Sequence, residues 1–358
     1  MNRKVLFFIN SEVGGAERIG VLISKMLINA GYYVEYVIIN DDQNKTSITD
    51  FINPDSKIST VSSKSHFDKL KQFHNIIKDA NPSCVFSTNY SVNDKLLLLK
   101  PLFNGVKFVL RSDFYFNSFG WKEKMIIRLA YRFADALIVQ NEEMKQEFLQ
   151  HNIISPQKIA ALDNPVDKDS ITKKLVGAQS PYKDDGRKHI VAVGRTSYQK
   201  GYDILVRALS EIVKDGESVD LYIVGSNIGM WEEEYLRICS LVNQYDICDN
   251  VHFIGYQSNP YPYIKFADCF VLSSRWEGLP NVLAEALFLK VPVAAFKCIP
   301  IIERMVRDGI DGYLAEKEDA LSLVASIKKA LKLGRTNPIY QGASEQDFVQ
   351  LFNGLVKK

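Results

Sequence analysis

At 358 residues the chain is longer than one hydrophobic core usually organises, so two domains of similar size are the better starting assumption. Hydrophobic residues make up 46% of it and charged residues 24%, which is typical of a globular protein and excludes a disordered or fibrous one. The 44 Lys and Arg residues nearly balance the 42 Asp and Glu residues, which argues against a general electrostatic attraction to nucleic acid.

The apolar runs and the cysteines together indicate a cytoplasmic protein. The first apolar run, Val5–Ile9, is too short for a signal peptide, and no other run approaches the roughly 20 residues that a spanning helix needs. The five cysteines are scattered, odd in number and without metal-ligand spacing, as expected of thiols in a reducing compartment. We therefore expect no metal site, and attachment to the inner face of the cell membrane stays open.

Short strand-like runs alternate with longer amphipathic runs in the first half, which predicts a parallel sheet covered by helices. In chain order the predicted strands are Lys4–Asn10, Tyr33–Asn40, Cys84–Thr88, Val106–Arg111 and Ala136–Asn141. The pair Gly14-Gly15 follows the first strand and opens the helical segment Ala16–Ala30, as in a βαβ unit. Glycines at a helix N-terminus let a ligand approach the backbone closely, although an ordinary tight turn explains this pair equally well.

The segment Trp121–Phe133 is amphipathic and basic. Its apolar residues recur at one-, three- and four-residue steps, and four cations lie among them: Trp121, Met125, Ile126, Leu129 and Phe133, with Lys122, Lys124, Arg128 and Arg132. Two structures fit this pattern, a helix that packs on its own domain and a helix that lies with Leu96–Phe103 on an anionic membrane surface.

Periodicity disappears after Asp167, where Lys, Asp, Gly, Ser and Pro dominate. We therefore predict an N-terminal Rossmann-like domain over residues 1–167 and a linker over residues 168–187. A second Rossmann-like domain is expected over residues 188–338, and a C-terminal helix within 339–358 should return to the first domain. The predicted strands of the second domain are Ile190–Gly194, Asp220–Gly225, Val251–Gly255, Cys269–Ser273 and Val291–Phe296. Ligands should lie at the carboxyl ends of these strands and in the cleft between the domains.

In the second domain, a first motif follows the strand that begins at Ile190. It reads Val-Gly-Arg-Thr-Ser-Tyr-Gln-Lys-Gly over residues 193–201. Arg195 and Lys200 can neutralise phosphate oxygens, the first as a bidentate fork and the second as a point charge. The alternative is a pair of solvated cations in a βα loop.

A second motif, Ser-Arg-Trp-Glu-Gly-Leu-Pro-Asn-Val-Leu-Ala-Glu-Ala, occupies residues 274–286 at a junction between a strand and a helix. Pro280 suits a first helical turn, which would leave the amides of Leu279, Asn281 and Val282 to bind an anion such as a diphosphate. Glu285 stands about one and a half turns beyond Pro280, away from Glu277 in the loop. The two carboxylates are thus not an acid/base pair; they can hold hydroxyls at different ends of an extended ligand, or simply be solvated glutamates.

Taken together, these motifs resemble the retaining glycosyltransferases of family 4, which have the GT-B fold. The resemblance covers nearly the whole chain and rests on Gly14-Gly15, Asn164-Pro165-Val166-Asp167, Gly194-Arg195 with Lys200-Gly201, Val224-Gly225 and the segment Glu277–Glu285. It implies an α/β protein of the GT-B type, with two doubly wound, Rossmann-like domains that face each other across a cleft.

The resemblance also implies a nucleotide-sugar donor on the second domain and no further cofactor. By this resemblance, Glu285 would bind the ribose of the donor and Glu277 would bind its sugar ring. Arg195 and Lys200 would bind the diphosphate, and the backbone at Tyr256-Gln257 would contact the base. The remaining donor contacts would come from Gly14, Gly15, Gly194, Gly225, Gly278, Leu279, Asn281 and Val282. Glu277, Arg195 and Lys200 would be the catalytic residues, and no metal is needed because the two cations and the helix terminus stabilise the leaving diphosphate.

The first domain should bind the acceptor, with Arg111 and Asp113 as candidate contacts; a surface ion pair that holds their loop is the alternative. Three departures from the family pattern leave the donor sugar open: Asn227, Lys290 and the Cys-Ile-Pro-Ile run that begins at Cys298. We expect a UDP-linked hexose or N-acetylhexosamine as the donor, with GDP-mannose as the alternative, and a lipid-linked glycan acceptor in O-antigen or capsule synthesis. The alternatives are a synthase or phosphorylase that acts on a soluble saccharide and an idle scaffold that binds sugar nucleotides.

Overall fold

The structure is a computed structural model that describes residues 3–11, 14–39, 48–63 and 65–356. The chain divides into two compact units. The first contains the residues up to Pro165 together with those from Gly342 onward, and the second is Val166–Gln341.

The first unit is a parallel sheet of seven strands in the order β3-β2-β1-β4-β5-β6-β7. Its strands are β1 (Lys4–Asn10), β2 (Tyr33–Ile39), β3 (Ile58–Val61), β4 (Cys84–Ser87), β5 (Lys107–Ser112), β6 (Ala136–Val139) and β7 (Ile159–Ala161). The helices between them are α1 (Gly15–Asn29), α2 (His66–Ala80), α3 (Tyr90–Leu99), α4 (Trp121–Ala130) and α5 (Glu142–Gln150).

Both faces of this sheet are apolar, because side chains alternate along a strand and helices cover both sides. In β1, Phe7 faces one core, with Phe86 stacked on it at 4.9 Å between ring centroids. Its neighbour Phe8 faces the opposite core and meets Phe73 of α2 edge to face. This two-sided burial explains why the central strands read as continuous apolar runs.

The second unit is a parallel sheet of six strands in the order β10-β9-β8-β11-β12-β13. Its strands are β8 (Lys188–Val193), β9 (Val219–Val224), β10 (Val251–Gly255), β11 (Cys269–Leu272), β12 (Val293–Phe296) and β13 (Gly312–Ala315). Its helices are α6 (Lys168–Lys174), α7 (Tyr202–Lys214), α8 (Glu232–Gln244), α9 (Tyr261–Phe266), α10 (Asn281–Phe288), α11 (Ile301–Met305) and α12 (Ala320–Ala330).

The last helix, α13 (Glu345–Val356), belongs to the first unit. Its buried Phe352 packs edge to face on Phe86 and on Tyr32, and the Tyr32 hydroxyl donates to Asn353 Oδ1 at 2.9 Å. The C-terminal segment thereby completes the core on the α1 side of the first sheet.

The predicted strands all appear near their expected bounds, although Asn40, the last residue of one of them, lies outside the described residues. The three-residue β7 and the four-residue β3 and β13 were not predicted, because such short edge strands give too little periodicity. The segment expected to be a linker instead begins with helix α6, whose N-cap Asp167 accepts from the amide of Ser170, and it belongs to the second unit.

Candidate functional site

The order of the strands reverses at one point in each sheet, between β1 and β4 in the first unit and between β8 and β11 in the second. In open parallel sheets, ligands bind beyond the carboxyl ends of the strands at such a reversal. The loop that begins at Gly194 follows β8, and the loop that contains Glu277 follows β11. The two motifs of the second unit therefore meet where this topology favours a ligand.

A partly buried ion pair joins these two motifs. Lys200 Nζ lies 2.7 Å from Glu277 Oε1, and the side chains are only 14% and 9% exposed. The Ser274 hydroxyl donates to the same carboxylate oxygen at 2.6 Å. Of the three donors on an ammonium group, this pair uses one, so Lys200 can still bind an anion. The sequence placed these residues on different parts of a ligand, whereas the structure brings them into direct contact.

Two glycines, Gly225 and Gly201, allow the loops around this pair to approach closely. A Cβ on Gly225 would collide with the carbonyl oxygen of Gly194, which holds the loop after β9 against the loop after β8. Gly201 has φ +62° and would collide, as alanine, with the carbonyl oxygen of Ser273 at the end of β11. The Ser273 hydroxyl also donates to the Lys200 carbonyl at 2.8 Å. The glycines therefore determine the position of Lys200 relative to β11.

Arg275, which the sequence did not single out as a site residue, ties the same loops together. It is 6% exposed, forms a two-point ion pair with Asp203 (3.0 and 2.7 Å) and donates to the Tyr198 carbonyl at 2.7 Å. Its guanidinium also stacks on the Tyr198 ring, 3.8 Å from the centroid. The signal was an arginine inside a recognised motif, but only the fold reveals that its partner is a carboxylate in the first turn of α7.

Arg195, by contrast, is exposed and has no carboxylate partner among the described residues. Its guanidinium lies 4.8 Å from the centroid of the Trp231 ring, in the turn that precedes α8. The attraction between a cation and an aromatic ring is to the face of the ring. The N–H groups at the periphery of the guanidinium therefore remain available for hydrogen bonds. Arg195 is thus an exposed cation that can bind an anion from solution, whereas Lys200 is largely shielded from solvent and already paired with Glu277.

Helix α10 begins one residue later than predicted. Pro280 is its N-cap, with φ −77° and ψ 93°, and its carbonyl accepts from the amides of Leu283 and Ala284. The first-turn amides, among them that of Val282, therefore lie at the free N-terminal end of the helix, where the dipole favours an anion. Gly278 is half-buried and Leu279 is buried in the core beneath this terminus.

The remaining residues assigned to the donor lie further along the edge of the sheet. Glu285, partly buried on α10, accepts from the Tyr261 hydroxyl at 3.4 Å. Tyr256 is 66% exposed, and the Gln257 amide donates to the Ile254 carbonyl at 3.5 Å. Glu285 thus lies on α10 with Tyr261 as a polar partner, whereas Glu277 lies in the preceding loop and is paired with Lys200.

Two further groups lie within electrostatic range of Glu277. Burial, with a contribution from Glu277, raises the pKa of the Tyr202 hydroxyl far above its usual range, and this hydroxyl donates to the Gly194 carbonyl at 3.2 Å. Burial and the charge of Glu277 also raise the pKa of the Cys298 thiol to about 12, so the thiol is neutral at physiological pH. Cys298, one of the departures from the family pattern, therefore lies close to the Lys200–Glu277 pair.

A second polar cluster lies at the carboxyl ends of the strands in the first unit. Gly14 is the N-cap of α1, which begins at Gly15, whereas Glu12 and Val13 of the same loop lie outside the described residues. Glu17 in the first turn of α1 is 7% exposed and accepts from the Asn89 amide at 3.5 Å. Electrostatic interaction links Glu17 to Arg111 at the end of β5.

Arg111 is not part of a surface ion pair, contrary to one of the two readings of the sequence. It is 1% exposed and donates through Nη2 to Asn164 Oδ1, while Nε and Nη1 have no hydrogen-bond partner among the described residues. Burial lowers its pKa. Burial raises the pKa of Asp113, and the positive charge of Arg111 partly offsets this rise. Asp113 is only partly buried, so Arg111 lies inside the fold and Asp113 nearer the solvent.

The side chains and helices of the described residues bear on metal binding and on membrane spanning. No group of three or more His, Cys, Asp or Glu side chains within them is arranged to hold a metal ion. None of the helices in this part of the chain has the length and apolarity to cross a bilayer.

Comparison with known proteins agrees with the motifs. Residues 178–345, just under half of the chain, match the family model of the group 1 glycosyl transferases. An uncharacterized glycosyltransferase of Haemophilus influenzae is 27% identical, with 94% of this chain and 91% of the relative aligned. Another, from Methanocaldococcus jannaschii, is 29% identical, and the alignment covers 62% of this chain but only 57% of the relative.

Several relatives have names that state an activity or a pathway. A Campylobacter jejuni protein named N-acetylgalactosamine-N,N'-diacetylbacillosaminyl-diphospho-undecaprenol 4-alpha-N-acetylgalactosaminyltransferase is 27% identical over 62% of this chain and 58% of its own length. Proteins of amylovoran synthesis in Erwinia amylovora and capsule synthesis in Staphylococcus aureus also match.

Among solved structures, the Anabaena protein HepE in complex with UDP-glucose superposes with a TM-score of 0.79 at 15% identity, over 99% of each chain. A Rickettsia africae glycosyltransferase superposes with a TM-score of 0.78 at 16% identity. The fold is GT-B, as the sequence predicted, and the sequence matches support a group 1 glycosyltransferase.

Proposed function

We propose that this GT-B glycosyltransferase transfers a hexose or N-acetylhexosamine from a UDP-linked donor to a lipid-linked glycan during surface-polysaccharide synthesis. The reaction retains the configuration of the anomeric carbon and needs no metal ion. The bond from that carbon to the diphosphate oxygen breaks, a bond to an acceptor hydroxyl oxygen forms, and the nucleoside diphosphate leaves with the hydroxyl proton.

The observation that carries this proposal is the Lys200–Glu277 pair at the strand-order reversal of the second unit. A leaving diphosphate develops negative charge, which preorganised donors stabilise most effectively in a site that is largely shielded from water. Lys200 is such a donor, since a buried carboxylate and tightly packed loops hold it in place. The exposed Arg195 and the N-terminus of α10 would supply the rest of the positive potential.

Glu277 would have two tasks in this site. It orients the ammonium group of Lys200, and its second carboxylate oxygen can accept a hydrogen bond from a hydroxyl of the transferred sugar. Glu285, near Tyr261, would accept from the ribose, and the exposed segment at Tyr256 and Gln257 would meet the base through its backbone.

The finer identity of the substrates is supported by relatives. The superposed HepE structure holds UDP-glucose, and the name of the Campylobacter relative specifies an N-acetylgalactosamine and a diphospho-undecaprenol acceptor. The first unit would bind the acceptor through Asp113, whose carboxylate can accept from a sugar hydroxyl while the buried Arg111 helps to keep it ionised.

The donor can be tested directly by thermal unfolding of the purified chain with UDP-, GDP-, ADP- and dTDP-sugars. A ligand that binds only the folded state at about 100 times its Kd adds about 2.7 kcal/mol to the free energy of unfolding. We expect the largest rise in Tm with a UDP-sugar, and the same rise in the presence of EDTA.

Transfer should then be measured with that donor and two acceptors, a detergent-solubilised lipid-linked glycan and a free disaccharide. Faster transfer to the lipid-linked glycan is the expected result. Faster transfer to the disaccharide would indicate a soluble-substrate synthase, and donor binding without hydrolysis or transfer would indicate a scaffold. A strict manganese requirement would contradict the metal-free reaction.

A further inference from the structure

Helix α4 presents its apolar residues to the solvent. Ile127 is fully buried in the core that lies over β5 and β6. Trp121, Met125 and Leu129, which recur every fourth residue, are 72%, 52% and 56% exposed. At about 100° per residue, these three form a stripe on the side of the helix opposite Ile127. We call Trp121, Met125 and Leu129 the α4 stripe.

Other exposed apolar side chains occur on the same part of the first unit. Phe133, just beyond α4, is 49% exposed. Helix α3 packs against α4, and Leu98 on it and Leu102 after it are 65% and 63% exposed. Leu96, Leu97 and Leu99 of the segment Leu96–Phe103 are buried, so only part of that segment presents apolar side chains to the solvent.

Four cations lie in the α4 segment, at Lys122, Lys124, Arg128 and Arg132, and one of them, Lys124, is partly buried and donates to the Asn117 carbonyl at 3.0 Å. By helix geometry, Lys122 and Arg128 flank the stripe on either side. Two of the four lie against aromatic rings of this surface, Lys122 over Trp121 at 5.5 Å and Arg132 over Phe133 at 5.0 Å. Within the described residues none of the four forms an ion pair, and Glu123 is the one carboxylate in the segment. The surface is therefore both apolar and positively charged.

This combination discriminates between possible occupants. A second copy of the chain, docked stripe to stripe about a two-fold axis, would bring Lys122 and Arg128 towards the same cations of its partner. Like charges brought together in this way oppose association. A bilayer with anionic lipids has no such conflict, because its acyl region accepts the apolar side chains while its headgroups bind the cations.

We propose that the α4 stripe docks the first unit on an anionic membrane surface. Trp121, Met125 and Leu129 insert at the boundary between headgroups and acyl chains, Lys122, Arg128 and Arg132 bind lipid phosphates, and Lys124 adds to the positive potential. This docking is a property of the first unit and needs neither donor nor acceptor. It would deliver the acceptor side of the enzyme to substrates that are anchored in lipid.

The test is co-sedimentation of the full chain with phosphatidylcholine vesicles, with and without phosphatidylglycerol. Wild type should bind only the vesicles that contain phosphatidylglycerol. Replacing the four cations by Gln should weaken binding at least about tenfold, since each contributes to attraction near an anionic leaflet. About 1 M salt, at which the Debye length is about 3 Å, should weaken wild-type binding as well.

Matched controls separate the α4 surface from general charge and apolarity. A variant with Gln at Lys183, Lys214, Lys329 and Lys332, four exposed lysines of the second unit, removes the same charge and should bind as wild type. Met125→Gln with Leu129→Gln should weaken binding, whereas Leu321→Gln with Ile339→Gln, at positions 69% and 66% exposed, should not.

Insertion can be observed through Trp121 in a variant with Phe at Trp231 and Trp276. Its fluorescence should shift to shorter wavelength with the anionic vesicles and stay unchanged with the neutral ones. Turnover on a water-soluble acceptor should be the same in the α4 variants and in wild type, so the docking and the proposed reaction can fail independently.

Three results would overturn the proposal. One is failure of wild type to bind anionic vesicles at low salt. Another is equal loss of binding in the α4 variants and their matched controls. The third is a dimer in solution, without affinity for vesicles, that Met125→Gln with Leu129→Gln dissociates, which would assign the stripe to a second copy.

Discussion

The polar clusters at the two strand-order reversals differ in how their groups are paired. In the second unit, Lys200 is bonded to Glu277 and Arg275 to Asp203. In the first unit, Arg111 has a single hydrogen bond to Asn164, and two of its nitrogens are buried without a partner among the described residues. Buried donors that lack partners are costly, and they are usually retained for a functional reason.

The difference follows from what each cluster would have to recognise. A nucleoside diphosphate is the same in every reaction with that donor, so a preformed and internally paired site serves it without rearrangement. An acceptor glycan differs from one enzyme to another, and the polar groups that bind it must remain available until it arrives. The proposed function thus accounts for a preformed, internally paired cluster in the second unit.

The largest effect should come from breaking the Lys200–Glu277 pair. Lys200→Met should lower kcat by about 10²–10³, the cost of losing one preorganised donor. It should also destabilise the fold, because Glu277 is left buried without its cation. Adding Glu277→Gln should restore most of that stability while kcat remains low, as urea unfolding and a transfer assay would reveal.

The single variant Glu277→Gln serves as the control for that pair. It leaves the Lys200 charge uncompensated, so the nucleoside diphosphate should bind more tightly while turnover falls. If Lys200→Met with Glu277→Gln recovered both stability and turnover, the pair would be structural and the diphosphate would bind elsewhere.

A smaller effect should come from Gly201, which determines where Lys200 lies. Gly201→Ala combines left-handed backbone, which costs a non-glycine residue about 1–2 kcal/mol, with a collision against Ser273. Gly216→Ala is a matched control, since its φ is +84° and its Cβ would meet nothing within 4 Å. Both variants should lose stability, but only Gly201→Ala should lose turnover; an equal loss of turnover would contradict the role of the Ser273 contact.

Much of the second unit could be predicted from the sequence, because a strand, a glycine loop and a helix start lie next to each other along the chain. The pairing of Lys200 with Glu277, 77 residues apart, could not, since it depends on β8 and β11 being neighbours in the sheet. The role of Arg275 could not be predicted for the same reason, because its partner Asp203 lies beyond that crossover. The solvent-facing stripe of α4 was also ambiguous, since amphipathicity does not reveal which face packs inward.

The smallest predicted effect concerns Arg111 and Asp113, and it tests whether the first cluster acts on the acceptor. Burial raises the pKa of Asp113 and the charge of Arg111 opposes that rise, so Arg111 helps to keep the carboxylate ionised. If ionised Asp113 accepts a hydrogen bond from the acceptor, kcat/KM for the acceptor should fall as the pH drops through its pKa. Arg111→Met removes the opposing charge, which moves this acidic limb to higher pH, whereas Arg111→Lys preserves the charge and should leave the limb near its wild-type position.

We expect Arg111→Met to raise the acceptor KM about tenfold, or about 1.4 kcal/mol, with the donor-induced rise in Tm unchanged. Asp113→Asn should abolish the acidic limb. Arg3→Lys, at an exposed arginine at the opposite end of β1, is the control and should change neither quantity. A loss of stability in Arg111→Met without any shift of the limb would make Arg111 a structural residue and leave the acceptor to other groups of the first unit.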